Sequence, residues 1–422
     1  MNLNLSQSTT QRISQITQQL EQDNIQAVGL WLENAEQFAC ALLACLNAKV
    51  KVLLPPNLLA ENQQWVAENA DLFLTSQNFA EYGILQKSQQ NPPLVDKNNP
   101  TEIWLKTSGS SGNAKIIVKT AKQMWQEAKA LAQIIPFKQN AIQLLGSVSV
   151  QHLYGLTFRI FLGLEMGWKM GQEQLQYPEF LIAESKIEQP SLWVSSPALL
   201  TNLNLDNPEL TQCHLAGIIS SGGALPEEVG NAIRAKLNVP VLEIYGSSET
   251  GVIAYRTDSN LWQAMPTSQM GTDENGALWV ENSWIAQREQ TADAVEISEQ
   301  GFKLLGRIDR IVKLGDKRVS LVKIEQDLLK HGYVADCYIA LHPKQKRAVA
   351  WIALSAQGIE CFKQQGRKAV IEQLKLFLTD TQEKFALPRF WRFCDKLPRN
   401  SQSKISRADF EAVCLNPAEE NF

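Results

Sequence analysis

The sequence contains no Cys-x-x-Cys pair. Its seven cysteines, at positions 40, 45, 213, 337, 361, 394 and 414, are odd in number and scattered, which argues against a zinc knuckle or a disulfide framework and suits a reducing compartment. Also missing is any apolar run approaching the ~18 residues that a bilayer span needs. The opening stretch, MNLNLSQSTTQRISQITQQL, is polar and helix-patterned and lacks the apolar core of a signal peptide, so the expectation is a soluble cytoplasmic protein. An excess of charge is absent too. The formal charge of -4 provides no broad basic field, which argues against nucleic acid or an anionic membrane as the main partner. There is no internal repeat and no low-complexity tract, although glutamine is frequent.

What the chain does have is length and apolar content. At 422 residues and 44% hydrophobic composition it can form two or more domains, one of them large. The segment QAVGLWLENAEQFACALLACLNAKVKVLLPP, from 26, reads as strand, helix and strand. The pattern recurs in AIQLLGSVSV, SLWVSSPALL, LAGIISSGGALPEEVGNAIRAKL and VPVLEIYGSSET. Apolar strands alternating with helical segments predict a largely parallel sheet covered by helices, and each run ends in small polar residues, where open α/β sheets bind ligands. From about 277 the texture changes to short segments, GALWVEN, DAVEIS and GFKLLGRIDRIVKLGDKRVSL, which predict small antiparallel strands. Beyond 310, VADCYIALHP and RAVAWIAL read as strands and RKAVIEQLKLFLTD as an amphipathic helix, while PRFWRFCDKLPRN leads into a polar loop and the tail PAEENF is expected to fray. The fold class is α/β: a large N-terminal domain of mostly parallel sheets with helices plus a small β-rich subdomain, and a small, mobile α+β C-terminal domain.

The stretch TSGSSGNAK, Thr107 to Lys115, has two readings. Ser, Gly and Asn dominate turns for local backbone reasons, so it can be a solvated turn. Alternatively, Gly109 and Gly112 let backbone N–H groups approach an anion, the hydroxyls of Thr107, Ser108, Ser110 and Ser111 add donors, and Lys115 supplies charge. Five more segments follow in order: SSGGALP (220–226), YGSSETG (245–251), TAD (291–293), GRIDRIVKLGDKRVSLVKIE (306–325) and LPRNSQSKISR (397–407). Together the six resemble the ordered motifs of the acyl-adenylate-forming, AMP-binding superfamily: acyl-CoA synthetases, adenylation domains of peptide synthetases, and luciferases. The match departs from the family at Ala114, where proline is usual, at Ala292, where glycine is usual, and at Ser403, also a glycine position. The first hundred residues match in texture only and are abbreviated.

The resemblance implies a reaction in two halves. A carboxylate attacks the α-phosphorus of ATP to give acyl-adenylate and pyrophosphate, and a thiol then displaces AMP. By the same resemblance, Thr107, Ser108, Gly109, Ser110, Ser111, Gly112 and Lys115 hold the β- and γ-phosphates. Glu249 is implied as the Mg²⁺ ligand and a catalytic residue, with Ser248 beside it. Tyr245 and the segment Gly222, Gly223, Ala224 are implied to flank adenine, Gly246 to belong to the same nucleotide site, and Asp293, assisted by Arg307, to hold the ribose. Lys404 is the implied catalytic lysine. Asp309 matches the hinge about which residues 309–422 rotate against 1–308, bringing the loop around Gly315 to the thiol's path. Taken alone, Asp293 reads as a turn residue, Asp309 as a cap, and Lys404 as one more exposed lysine.

For the acid, LLGSVSVQHLYGLTFRIFLGLEMG has His152 before Leu153, Tyr154 and Gly155, similar to the fatty- and aryl-acid branches of the superfamily rather than the amino-acid branch, which places an aspartate here. His152 and Trp193, with Gly222, are candidate walls of the acid pocket; the ordinary reading of both rings is core packing. The shortened N-terminal region is similar to compact ligases that accompany bacterial fatty-acid-like or aryl polyene biosynthesis and load an acyl carrier protein. The chain ends soon after Lys404, so the thiol is expected in trans, from coenzyme A or a separate phosphopantetheinyl carrier protein. Two other classes stand beside the ligase: a non-catalytic nucleotide-binding relative, and a stand-alone adenylation enzyme serving a peptide synthetase.

Overall fold

A computed structural model describes residues 6–84, 95–107, 115–137, 141–258, 260–314, 317–399 and 405–415. Among the described residues, five sheets carry the architecture. The first has the strand order Leu72–Thr75, Ala27–Trp31, Lys51–Leu54, Glu102–Thr107, Lys115–Thr120. Its first four strands are parallel, and Lys115–Thr120 closes one edge antiparallel. The second has seven strands. Lys169–Gln174, Gln143–Gly146, Ser191–Ser195, Leu215–Ser220 and Val241–Ser247 run parallel, and Gly251–Arg256 and Gln263–Ala264 return antiparallel.

Both faces of the second sheet are buried, which is why its strands read as unbroken apolar runs. Leu192, Val194, Ile219, Leu242 and Ile244 enter one core cluster, while Leu145, Trp193, Ile218 and Val241 enter another on the opposite face. Between the first and second sheets lies a third cluster built on the helix Ala35–Asn47, ten of whose residues are buried. That helix starts where Asn34 accepts from the N–H groups of Glu36 and Gln37, leaving fewer orphaned donors at its first turn.

The four strands Gln269–Thr272, Ala277–Glu281, Glu289–Ser298 and Gly301–Arg307 form an antiparallel sheet, the expected β-rich subdomain. After the 3-10 turn Ile308–Arg310 and a hairpin of Ile311–Leu314 with Lys317–Ser320, a separate core begins. It is built on Val334–Leu341, Ala348–Leu354 and Phe390–Cys394, with the helices Leu321–Leu328 and Ala356–Leu378. Two features there differ from the sequence reading. Phe390–Cys394, read as the approach to a loop, is a strand parallel to Ala348–Leu354; at five residues with arginine in the middle it gives little periodic signal. The helix read from RKAVIEQLKLFLTD extends back to Ala356, with Gly366 (φ 81°, ψ 168°) interrupting it. The tail PAEENF lies outside the described residues. Among the described residues no helix is long and apolar enough to cross a membrane.

One local junction matters for the site. Strand Lys115–Thr120 runs straight into helix Ala121–Ile134 through a capping box, in which Thr120 Oγ1 accepts from Gln123 N–H at 3.2 Å and Gln123 Oε1 accepts from Thr120 N–H at 2.8 Å. Capping of this kind contributes about 1 kcal/mol. Thr120→Ala is therefore expected to lower the unfolding free energy by about that amount, checked by urea denaturation.

Candidate active site

The carboxyl ends of the second sheet's parallel strands present Ser147, Ser195 and Ser196, Ser221 to Ala224, and Tyr245 to Ser247 side by side. Cross-links keep this edge in register. The Tyr154 hydroxyl donates to the carbonyls of Ser195 (2.8 Å) and Ile219 (3.2 Å), and Ser221 Oγ donates to the carbonyl of Ile244 (3.0 Å). Just past its strand, Gly222 has φ +87°, a left-handed value that favours glycine, and a β-carbon there would meet nothing within 4 Å. Gly222, Gly223 and Ala224 are all exposed, so backbone is open to a ligand at this edge.

Two sequence motifs 48 positions apart meet at the next strand. The Tyr245 hydroxyl donates to Asp293 Oδ2 at 2.6 Å. Burial, reinforced by the carboxylate, pushes the Tyr245 pKa far up, so the phenol stays a donor. Asp293 faces Arg307 across the antiparallel pair, and its N–H donates to Thr291 Oγ1 (3.1 Å), while Thr291 Oγ1 donates to the carbonyl of Leu278 (2.8 Å). Ala292, the departure from glycine, has no positive φ, so no glycine is required there.

The turn after Tyr245 is tightly specified. A β-carbon on Gly246 would lie 2.1 Å from the Gly251 carbonyl oxygen. Gly251 has φ +65°, and a β-carbon on it would meet Glu127 Oε1 at 2.4 Å. Thr250 is buried; its hydroxyl is 3.1 Å from Ser247 Oγ, accepts from Ser247 N–H (3.1 Å) and donates to the Gly251 carbonyl (2.8 Å). Glu249 is exposed and Ser248 partly so. A hard divalent cation bridging phosphates asks for oxygen donors and takes few from protein. The exposed Glu249 carboxylate fits that demand, and among the described residues no set of three His, Cys, Asp or Glu side chains could enclose an ion by itself.

The other expected residues are placed less completely. Thr107 and Lys115 pair across the ends of their two strands, and Thr107 Oγ1 donates to the Lys115 carbonyl at 3.2 Å. Ser108, Gly109, Ser110, Ser111, Gly112 and Ala114 lie outside the described residues, as do Gly315, Ser403 and Lys404. The backbone of Asp309 is in the turn Ile308–Arg310. Its neighbour Arg310 is bound into the following core: the guanidinium donates to Glu325 Oε1 and, at 2.9 Å, to the Ile339 carbonyl, and sits over the Tyr338 ring at 4.6 Å. The Lys404 segment is flanked by a β-bridge between Arg399 and Ile405, and Arg399 is held by Asp336 through two bonds of 2.6 and 2.8 Å.

Of the acid-pocket candidates, His152 stands at the N-cap position of the short helix Leu153–Gly155 with no capping bond from its ring, and burial holds its pKa below the ordinary 6.5. Trp193 is corrected: its ring is wholly buried against the helix Pro178–Glu184, and its indole N–H donates to Ser185 Oγ at 2.8 Å. It packs the face of the sheet opposite to Leu192 and Val194 and is a core residue. An open cleft of about 500 Å³, lined by Ser147, Gln176, Tyr177, Glu179, Ser196 and Leu199 among others, lies at the carboxyl ends of the same strands. His152, Trp193 and Gly222 do not line it.

Sequence reasoning missed Lys119, Glu127 and Arg159. Lys119 is buried, and its ammonium donates to the carbonyls of Glu249 (2.9 Å) and Trp284 (3.3 Å). Burial lowers its pKa, opposed by the carboxylates of Glu127, Glu289 and Glu249. Glu127, 1% exposed, accepts from Val252 N–H at 2.7 Å and from Thr157 Oγ1 at 3.3 Å; burial raises its pKa, and Lys119 is the leading charge opposing that. Arg159 lies in a π-helical turn, Leu156–Phe161, and donates to the carbonyls of Val148, Gly171 and Glu173, with burial lowering its pKa to about 10. The signals were there to read. Strand Lys115–Thr120 turns Ile116 and Val118 to solvent and Lys119 inward, the reverse of ordinary alternation, and Glu127 sits on the helix stripe of Met124 and Leu131.

Known proteins share this fold. The family model described as AMP-binding enzyme matches residues 55–273, just over half of the chain. A long-chain-fatty-acid–CoA ligase of Bacillus subtilis is 23% identical over 360 residues, 75% of this chain; the chain spans 62% of that relative's length. A benzoate CoA ligase structure from Burkholderia xenovorans superposes with a TM-score of 0.79 at 18% identity, covering 96% of this chain and 93% of the other. An o-succinylbenzoate coenzyme A synthetase from Bacillus subtilis, in complex with ATP and a magnesium ion, gives 0.76 at 16% identity, covering 94% and 92%. At these identities the structural matches establish the fold.

Burial that favours the neutral form of the half-buried His152 has a measurable consequence. The unfolded chain takes up a proton at this residue below about pH 6.5 while the folded chain resists it, so its contribution to stability is complete above that value and falls as pH drops below it. His152→Gln is expected to shrink the loss of stability between about pH 7.5 and about pH 5.5, read from urea midpoints. An unchanged loss would mean that the ring is not held neutral.

Proposed function

We propose, because the chain belongs to the AMP-binding enzyme family, that it activates a carboxylic acid with ATP to an acyl-adenylate, releasing pyrophosphate, and then passes the acyl group to a thiol. The observation that carries this reading is the 2.6 Å bond between Tyr245 and Asp293. It brings two of the ordered motifs to one point beside open backbone at Gly222. In this reading the ribose hydroxyls donate to Asp293, with Arg307 opposite, and adenine lies between Tyr245 and the Gly222–Ala224 backbone. The loop between Thr107 and Lys115, including Ser108 to Gly112, holds the β- and γ-phosphates.

A carboxylate is a poor acyl donor, and joining it to AMP supplies a good leaving group. The demand on the protein is to hold attacking and leaving oxygens in line and to offset phosphate charge. Glu249, with Ser248 alongside, would hold Mg²⁺, and that ion when bound screens charge on the phosphates. Lys404 is assigned to the contact between the acid's carboxylate and the α-phosphate. Residues 309–422, with a core of their own, are assigned to rotate about Asp309 between the half-reactions. Rotation would withdraw Lys404 and bring the Gly315 loop to the thiol. The anchoring of Arg310 in the following core supports a pivot ahead of it.

The acid is assigned to the aryl or fatty class, because residue 152 is histidine where the amino-acid branch has an aspartate. The acceptor is coenzyme A or a separate carrier protein. The test is pyrophosphate release with ATP and Mg²⁺ across benzoic, cinnamic, short-chain and long-chain acids, with adenylates trapped by hydroxylamine. A response confined to one class is expected. Silence across the panel while ATP still binds would favour the non-catalytic nucleotide-binding relative, and a response confined to amino acids the peptide-synthetase reading. Lys404→Ala is expected to lower adenylation by about 10²-fold or more with ATP affinity retained; equal rates in variant and wild type would remove Lys404 from the mechanism.

A further inference from the structure

Two buried, oppositely charged side chains hold the Glu249 turn from beneath, and neither belongs to a motif of the site. Lys119 donates to the Glu249 carbonyl, at 2.9 Å, and to the Trp284 carbonyl. Glu127 accepts the Val252 N–H, at 2.7 Å, three residues further on. Between these grips sits Gly251, whose missing β-carbon leaves the space that the Glu127 carboxylate fills. Trp284 adds a third contact, its indole N–H donating to the Val252 carbonyl at 3.2 Å. The buried Thr250 hydroxyl ties the turn back to Ser247. The backbone from Ser247 to Val252 is thus bound on its inner side, and the exposed Glu249 side chain projects from it.

Burying a lysine and a glutamate is costly unless their polar atoms find partners, and an apolar pair would fill the same space without that cost. Lys119 spends both of its bonds on the backbone of this turn and its support, and Glu127 accepts one from the turn's backbone and one from the Thr157 hydroxyl. The reversed alternation of strand Lys115–Thr120, with Ile116 and Val118 outward, is the further sacrifice made to bring Lys119 inside. We propose that Lys119 and Glu127 are positioning residues that fix the Glu249 carboxylate for a divalent cation on the nucleotide phosphates. This rests on the assignment of Glu249 made under the proposed function.

The experiment uses the full chain, with Mn²⁺ as probe and α,β-methylene-ATP as the uncleavable nucleotide, and reads bound Mn²⁺ by electron paramagnetic resonance. Binding of AMP, which the proposed function assigns to Tyr245 and Asp293 without a metal, is measured in parallel by calorimetry. Lys119→Met, which removes both donated bonds at similar length, is expected to weaken Mn²⁺ binding about 10-fold with AMP affinity unchanged. Glu127→Gln, which keeps an acceptor for Val252 N–H, is expected to change it by less than about 3-fold. Should Lys119→Met not fold, Lys119→Gln, too short to reach both carbonyls, carries the test with the same expected sign.

Unchanged Mn²⁺ affinity in a folded Lys119 variant overturns the inference, as does a parallel loss of AMP binding, which marks a merely structural role. Glu249→Gln separates the two readings. If it leaves Mn²⁺ binding intact, the assignment of Glu249 fails and the inference with it. If it weakens binding while the Lys119 variant does not, the inference alone fails.

Discussion

An ammonium group removed from water must find oxygen, and Lys119 finds it in two backbone carbonyls that belong to different parts of the chain. That requirement fixes the distance between the edge of the first sheet, the Glu249 turn on the second, and the Trp284 segment beside the antiparallel sheet. Three sheets therefore share one hydrogen-bonding group. Glu127, on the helix that follows without a loop, completes the arrangement from the same side. The junction between sheets that bears the candidate site is thus defined by polar contacts inside an apolar interior, where geometry is held more narrowly than hydrophobic packing alone would hold it.

Much of the layout could be read in advance. Helical and strand periodicity located the first strand–helix–strand unit and four of the second sheet's parallel strands, because burial on two faces leaves an unmistakable apolar run. The motif order singled out strand ends that the fold sets side by side, and the contact between Tyr245 and Asp293, in two of those motifs, was not itself legible. Periodicity is blind, however, to which apolar residue faces which core. Trp193 sits one position from Leu192 and Val194 and so belongs to the opposite face, a distinction carried by register and not by composition.

Lys119 and Glu127 escaped notice for a related reason. A charged residue in an apolar pattern is ordinarily discounted as a surface position. Only the combination of an inward lysine with two outward branched neighbours, and a glutamate on the buried stripe of the next helix, marks the pair as internal. The contact that joins them to Glu249 spans 130 positions of sequence, and no local rule reaches that far. Short strands with mixed composition, such as Phe390–Cys394, were obscure because they acquire their identity from the strand they join.

The reversed strand also shapes how the molecule meets its surroundings. Lys115–Thr120 is the last strand of its sheet, and with lysine facing in, Ile116 and Val118 face out at 42% and 47% exposure. An edge strand bearing branched apolar side chains is a template for strand addition by another chain. Its shortness, six residues ending in the cap of a helix, and the charge of Lys115 at its start restrain that tendency. Colloidal stability in this protein is therefore tied to the same six residues that position a carboxylate, and a more soluble edge would have to be designed without turning Lys119 around.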